Sequence, residues 1–462
     1  MDSNSKGPKG KAVTDVKAPA MGRAPAKGRS VTSQVSLFER VPDWARLSWP
    51  DIAAILSGVV SSLSKLMGGG IVAFYAGCQL GGVTVAITFA LSFVLTYFVG
   101  KICFREGLPN NVVSRYYIFG KNGSAVGSLI WIFVLVGVLA VGTVQLGNAI
   151  LFAFGWEGDF ARWALFIGIS CVWVLMALFG TKVIARMNAV FVIALFCVMG
   201  YVIYLIAADG QLVDAATHGI MIPGVEPLEG FAYSVNYAIM TSGLLALFAA
   251  DFTRFAKKER DIVPISLTGT IFAIVTYIFG ALIVYYGFEQ SFAYFSAQSM
   301  DATLAANAAV TNPGVSLVLA SGGIGLAIIC LSQMKVETSN SIGGANAIGL
   351  AFILGNILDQ VNAFMSYGSI LTSSWCILLI TDYYIVRGKM GIGAQGIDLG
   401  AREHTVNWRG VGTLVAVSAV ASVLYATNIL QIPFLLVAPA SMVIYILVSW
   451  LLRDKVRSGK VA

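Results

Sequence analysis

The feature that most constrains this chain is its series of long apolar segments without charge. The run "GVSLVLASGGIGLAIIC", residues 314–330, is one example. A helix needs about 20 apolar residues to cross the hydrocarbon core of a bilayer. The whole chain of 462 residues is 57% hydrophobic and 11% charged, whereas soluble domains are about 25% charged. We therefore expect an integral membrane protein with a lipid bilayer as its surroundings.

The apolar segments predict an all-α polytopic membrane protein, because lipid leaves backbone polar groups to be satisfied within helices or closed barrels. The alternating pattern of a membrane barrel is absent. Twelve spans are predicted, at about 50–75, 80–101, 124–154, 162–180, 186–208, 231–251, 263–288, 314–336, 342–358, 362–386, 408–429 and 431–453.

The distribution of basic residues predicts the orientation. Nine Lys and Arg but four Asp and Glu fall in the first 46 residues, so we expect a disordered basic cytoplasmic tail over 1–46. A transmembrane domain over 47–453 and a short cytoplasmic tail over 454–462 follow. Loops after even-numbered spans are rich in Lys and Arg, which places both termini in the cytoplasm of an inner-membrane protein. A basic extension beside a span is ordinary, so no nucleic-acid partner is expected.

Two predicted spans carry weak helix formers at their centres. The first contains "LSGVVSSLSKLMGGG", which includes Gly58 and Ser61. The sixth contains "YAIMTSGLLALFAADF", with Thr241, Ser242 and Gly243 at its middle. Such a pair, five helices apart, is typical of broken helices that form a binding site at the midplane. Close packing of helices through small residues is the alternative interpretation.

The eighth predicted span ends in charges, within "LSQMKVETSN" at 331–340. A charge in lipid costs several kcal/mol and usually marks a functional site. Lys335 and Glu337 are two positions apart and do not face each other on a helix, so they need different partners. Lys65, in the first span, is a candidate partner for Glu337. Single scattered cysteines and two histidines indicate neither a metal site nor catalytic residues.

Three further segments, "AADFTRFAKKER", "SYGSILTSSWCILLITDYYIVRGKMG" and "VNWRG", resemble signatures of the nucleobase–cation symporter family, and cytosine permeases most of all. This resemblance covers roughly residues 50–453. It implies the leucine-transporter fold, with ten helices in two inverted repeats of five plus two extra helices. It also implies alternating access and import of a small heterocycle such as cytosine, a purine or a hydantoin.

The resemblance also implies a site. Span eight of the family carries an ion ligand, two hydroxyl residues and a substrate-binding Asn, which match Lys335, Thr338, Ser339 and Asn340 here. The family has a neutral residue where this chain has Lys335. We expect the ion-coupling residues to be Gly58, Ser61, Lys65, Lys335, Glu337, Thr338 and Ser339. The expected substrate-binding residues are Thr241, Ser242, Gly243 and Asn340.

The predicted function is therefore a secondary symporter for a small-molecule substrate. It has no cofactor besides the coupling ion, either H⁺ or Na⁺, and no enzyme activity. Leu135 and Val138 replace the Gln and the aromatic ring that cytosine permeases offer in span three, so the substrate class stays open. The alternatives are an amino-acid or amine transporter on the same fold and a membrane solute sensor. The oligomeric state is not predicted.

Overall fold

The structure is a computed structural model that describes residues 38–60, 63–154, 156, 158–179, 193, 196–197, 199–217, 226–286, 361–400 and 405–453. Within these residues the regular elements are helices. The long ones are α1 (Trp49–Val60), α2 (Leu63–Glu106), α3 (Ser124–Phe154), α4 (Asp159–Phe179), α5 (Pro227–Thr253), α6 (Ile262–Tyr286), α7 (Val361–Ile380), α8 (Trp408–Ala426) and α9 (Phe434–Leu451). Short segments are Asp43–Ala45, Asn110–Ser114, Arg115–Phe119, Met199–Ala208, Leu212–Thr217 and Glu259–Asp261.

Seven helices of the described chain are long and apolar enough to cross a membrane. The prediction of an all-α polytopic membrane protein is thus confirmed. The third predicted span, 124–154, coincides with α3, and the tenth is α7, which continues as a π-helix over Thr381–Lys389. Predicted spans eight and nine lie outside the described residues, so the count of twelve stays a prediction.

The first two predicted spans are joined without a loop. Helix α2 contains the end of the first span and all of the second, and it bends at Gly77, where φ is 64° and ψ is −175°. Glycine adopts this left-handed φ readily, whereas other residues are strained there. The chain therefore turns from one span into the next at a single residue.

The predicted interruption of the sixth span is wrong, because α5 runs as one helix from Pro227 to Thr253. The hydroxyl groups of Thr241 and Ser242 are satisfied within this continuous helix. They lie 3.0 Å from the carbonyl oxygen of Tyr237 and 2.7 Å from that of Ala238, respectively, each four residues earlier. Such back-bonding gives a buried hydroxyl an acceptor within its own helix.

Helix α5 forms the centre of the bundle. Almost all of its residues from Gly230 to Thr253 are buried. Helices α2, α6 and α7 pack around it, and α8 and α9 pack against α7. The polar side chains of α5 therefore lie between helices or at the two ends of α5.

The segment that precedes α1 also packs on the bundle, although the sequence predicts a disordered tail as far as residue 46. Val41 and Ala45 are buried. The backbone N–H of Val41 donates to the carbonyl of Gly107 (3.1 Å), and that of Leu47 donates to the carbonyl of Phe255 (2.7 Å). Burial of these two apolar side chains attaches the segment to the bundle. Residues 1–37 and 454–462 of the predicted tails lie outside the described residues.

Candidate functional site

Thr241 and Ser242 face neighbouring helices at the middle of α5. The Thr241 hydroxyl lies 2.8 Å from the Tyr277 hydroxyl of α6. Ser242 accepts a hydrogen bond from Ser92 of α2 (2.8 Å). All four side chains are buried. In this state the proton of each hydroxyl in the predicted substrate site is already donated within the protein, so a substrate acceptor that used one of them would have to replace its partner.

Gly243 is needed for the close approach of α5 and α7. A Cβ atom at this position would lie 2.7 Å from the Thr372 hydroxyl oxygen and 2.9 Å from the Cβ of Thr372. The Cys376 thiol lies 3.8 Å from the Gly243 carbonyl oxygen. At this residue the described contacts correspond to the alternative interpretation, close packing through a small residue.

Glycines also allow the first half of α2 to pack closely against α5 and α6. A Cβ on Gly68 would lie 2.4 Å from the Tyr237 ring, and one on Gly69 would lie 1.9 Å from the carbonyl oxygen of Tyr277. On α5, a Cβ on Gly230 would lie 1.9 Å from the carbonyl oxygen of Tyr75. The glycine-rich end of the first predicted span therefore forms a backbone contact with its two neighbours.

The remaining predicted site residues are not placed by the structure. Ser61, Lys335, Glu337, Thr338, Ser339 and Asn340 lie outside the described residues. Gly58 belongs to α1 and Lys65 to α2, but their surroundings are likewise outside the described part. Of the eleven predicted residues, the structure brings together Thr241, Ser242 and Gly243 alone, and the others stay predictions.

One end of the bundle, here called the basic end, carries Arg40, Lys101, Arg105, Arg254 and Arg387. It lies where α2 and α5 end. Lys101 and Arg105 both form ion pairs with Glu259, at 2.8 and 3.0 Å. These pairs are partly exposed to solvent, and such pairs contribute little to stability.

The basic end also contains a buried carboxylate, Glu106, that sequence reasoning missed. It is 3% exposed. One oxygen accepts from the Tyr117 hydroxyl (2.6 Å) and the other from the backbone N–H of Ile397 (2.9 Å). Arg40 lies 4.0 Å away. Burial raises the pKa of Tyr117, and the hydrogen bond to Glu106 adds to this, so the phenol keeps its proton and donates.

Asp382 is a second buried carboxylate, at the start of the π-helix after α7. Its oxygens accept from Arg387 Nε (2.6 Å) and from the Tyr445 hydroxyl of α9 (2.7 Å). The Arg387 guanidinium also lies over the Tyr117 ring, 4.6 Å from its centroid. The ion pair of Asp382 and Arg387 thus connects the π-helix after α7 with α9 and with the segment Arg115–Phe119.

The motif "VNWRG" has a structural role in this region. Asn407 caps α8 and donates through its side-chain amide to the carbonyl of Tyr117 (2.9 Å). A Cβ on Gly410 would lie 1.9 Å from the carbonyl oxygen of Ile118. Both contacts fix the segment Arg115–Phe119 against α8, which explains why the motif needs an amide and a small residue three positions later.

We predict that Glu106→Gln lowers the unfolding free energy by about 1–3 kcal/mol, because the amide NH₂ must face one of two buried donors. Glu259→Gln is the matched control at the same end, since Glu259 is 43% exposed at its side chain and should cost below about 1 kcal/mol. Thermal unfolding of the purified variants in detergent measures both. Equal losses would contradict the assigned role of Glu106.

Together, the apolar helices packed around α5 define an all-α polytopic membrane protein. No family model matches the chain, and no curated protein matches it in sequence. Solved structures do match it in fold.

Two of these structures are of Mhp1, a nucleobase-cation-symport-1 family transporter. The inward-facing conformation matches with a TM-score of 0.65 and 16% identity, over 89% of this chain and 92% of Mhp1. The closed conformation with bromovinylhydantoin bound matches with a TM-score of 0.62 and 15% identity, over 89% and 96%. A Na⁺-coupled sialic acid symporter matches with a TM-score of 0.53 and 12% identity, over 90% of each chain. At these identities the comparisons establish that the chain has the leucine-transporter fold.

Proposed function

We propose that this protein is a secondary active transporter that imports a nucleobase-like small heterocycle by alternating access. The observation that carries the proposal is the match to Mhp1 over about nine tenths of both chains. The motifs at predicted spans six, eight and ten support the same class of substrate. Bromovinylhydantoin, the ligand of one Mhp1 structure, is itself a small heterocycle.

The coupling ion in this proposal is a proton, with Lys335 as a built-in cation. At an effective dielectric constant of about 20, two unit charges about 4 Å apart repel by roughly 4 kcal/mol. A sodium ion beside Lys335 would meet such a repulsion. A lysine in a partly desolvated cavity has a lowered pKa and can exchange a proton with water. Thr338 and Ser339, three and four positions later, share a helix face with Lys335 and supply oxygen acceptors for its ammonium group.

The first test is a binding screen with the purified protein in detergent. Purines, pyrimidines, hydantoins and amino acids are added one at a time, and the change in melting temperature is measured. A ligand that binds the native state alone raises the melting temperature, and the stabilisation grows with the logarithm of one plus its concentration over its Kd. A shift with a heterocycle supports the proposal. Shifts with amino acids alone would favour the amino-acid or amine carrier, the alternative on the same fold.

Asn340→Ala is expected to weaken binding of the heterocycle by about 1–3 kcal/mol, because a buried ligand group loses its partner. A side-chain amide donates and accepts at once, which suits the edge of a cyclic amide. Asn122→Ala, an exposed position at the basic end, is the control and should leave the affinity unchanged. Isothermal titration with the best ligand of the screen gives both values. Unchanged affinity in a folded Asn340→Ala variant would remove Asn340 from the site.

A further inference from the structure

The last turn of α5 connects the basic end to the segment after α2. The Asp251 carboxylate accepts a hydrogen bond from the backbone N–H of Asn110 (2.8 Å). This N–H belongs to the first turn of the helix Asn110–Ser114, where backbone donors have no acceptor within their own helix.

Arg254, three residues after Asp251, is buried at the end of α5. Its side chain is 4% exposed. Its Nε and Nη1 atoms have no hydrogen-bond partner among the residues that the structure describes, and the guanidinium lies over the Phe255 ring, 4.6 Å from the centroid. Burial lowers the pKa of Arg254, and the negative charge of Asp251 opposes this effect. Buried donors without acceptors are costly, and more so when they carry a charge.

The acceptor that Arg254 needs is close by in the chain. Positions i and i+3 lie on the same face of a helix, so Asp251 and Arg254 can pair with little more than a change of side-chain rotamer. In this structure Asp251 is held by Asn110, and Asn110 itself has a buried side-chain Nδ2 without a partner in the described part of the chain. Cys103, in the last turn of α2, is fully buried.

We propose that Asp251 alternates between two partners and acts as a latch at the basic end of the transporter. With Asn110 as its partner, the ends of α2 and α5 stay together and the basic end is closed. When these ends separate, Asp251 releases Asn110 and pairs with Arg254, which satisfies the buried guanidinium and stabilises the open state. The inference rests on the proposed function, because alternating access requires a second state.

The segment before α1 is attached at the same place. Leu47 donates its backbone N–H to the carbonyl of Phe255 (2.7 Å), and Arg46 donates to the carbonyl of Ala256 (2.9 Å). Both acceptors follow Arg254 directly in the chain. A movement of Arg254 towards Asp251 would therefore disturb the contact that holds this segment on α5.

Cys103 serves as the reporter, since opening of the basic end is expected to expose its thiol. The intact protein in detergent, without substrate, is treated with N-ethylmaleimide, and peptide mass spectrometry follows Cys103 separately from the exposed Cys171 and Cys197. Arg254→Met removes the charge that favours the open state. It should slow labelling of Cys103 by on the order of tenfold, given the coupling energies of contacting charged pairs. Arg254→Lys keeps the positive charge, so Cys103 in this variant should be labelled at a rate close to that of the unaltered protein.

The direction of the change in the labelling rate of Cys103 distinguishes a latch from a merely structural role. A substitution that only loosens packing speeds up labelling, whereas loss of the latch slows it. Asp251→Asn keeps an acceptor for Asn110 but loses the ion pair with Arg254, so it should also slow the labelling of Cys103. Adding Arg254→Met to Asp251→Asn should slow the labelling little further. Unchanged or faster labelling of Asp251→Asn or of a folded Arg254→Met would overturn the proposal. Because the assay needs no substrate, its outcome is independent of whether a heterocycle is transported.

Discussion

Gly69→Ala should lower the unfolding free energy by about 1–3 kcal/mol, the usual cost of forcing extra atoms into a packed interior. The new Cβ would lie 1.9 Å from the carbonyl oxygen of Tyr277. This neighbour is backbone and cannot rotate away, so α2 and α6 must move apart. Thermal unfolding of the purified protein in detergent measures the loss.

Gly142→Ala in α3 is the matched control for this substitution, because no heavy atom lies within 4 Å of its would-be Cβ. A glycine in the interior of a helix costs about 1 kcal/mol relative to alanine. The control should therefore be neutral or slightly stabilising. Equal melting temperatures for the two variants would show that α2 and α6 do not depend on this contact.

Lys335→Ala is expected to abolish accumulation driven by a pH gradient. The proposal gives Lys335 the role of a coupling cation that takes up and releases a proton. In the proposed cycle its protonated form binds the hydroxyl and carbonyl oxygens of the ion site. Without the amine no proton can be carried, although exchange of substrate across the membrane should survive.

Lys389→Ala is the control for this variant, since Lys389 is an exposed lysine after α7 and should leave accumulation unchanged. Both variants are reconstituted into proteoliposomes, and radiolabelled uptake is measured with a sodium or a pH gradient imposed separately. Strict dependence of the unaltered protein on sodium would reject the role of Lys335 and make it a structural ion-pair partner.

The positions of the helices could be predicted because a segment enters the lipid according to the length of its own run of apolar residues. Span 124–154 and helix α3 agree at both ends for this reason. The bend at Gly77 was not predicted, since one glycine among many does not reveal a left-handed φ. The continuity of α5 was also missed, because the sequence shows Thr241 and Ser242 as weak helix formers and does not show which carbonyls their hydroxyls contact.

The polar residues of the basic end illustrate a second limit. Asp382 lies near the end of the tenth predicted span, yet it is fully buried and accepts a hydrogen bond from Tyr445. Tyr445 is 63 residues away in the chain, and Glu106 binds Ile397 across 291 residues. Burial of this kind depends on which helices pack together, and the hydropathy of a single segment does not contain that information.

Uptake of a radiolabelled heterocycle into proteoliposomes tests the central claim most directly. The ligand is the one that raises the melting temperature most in the binding screen, and protein-free liposomes give the background. We predict saturable uptake above background that accumulates against a gradient when the outside is acidified and collapses when a protonophore is added. Binding without any uptake or exchange, by folded protein in sealed liposomes, would contradict transport and favour a membrane solute sensor.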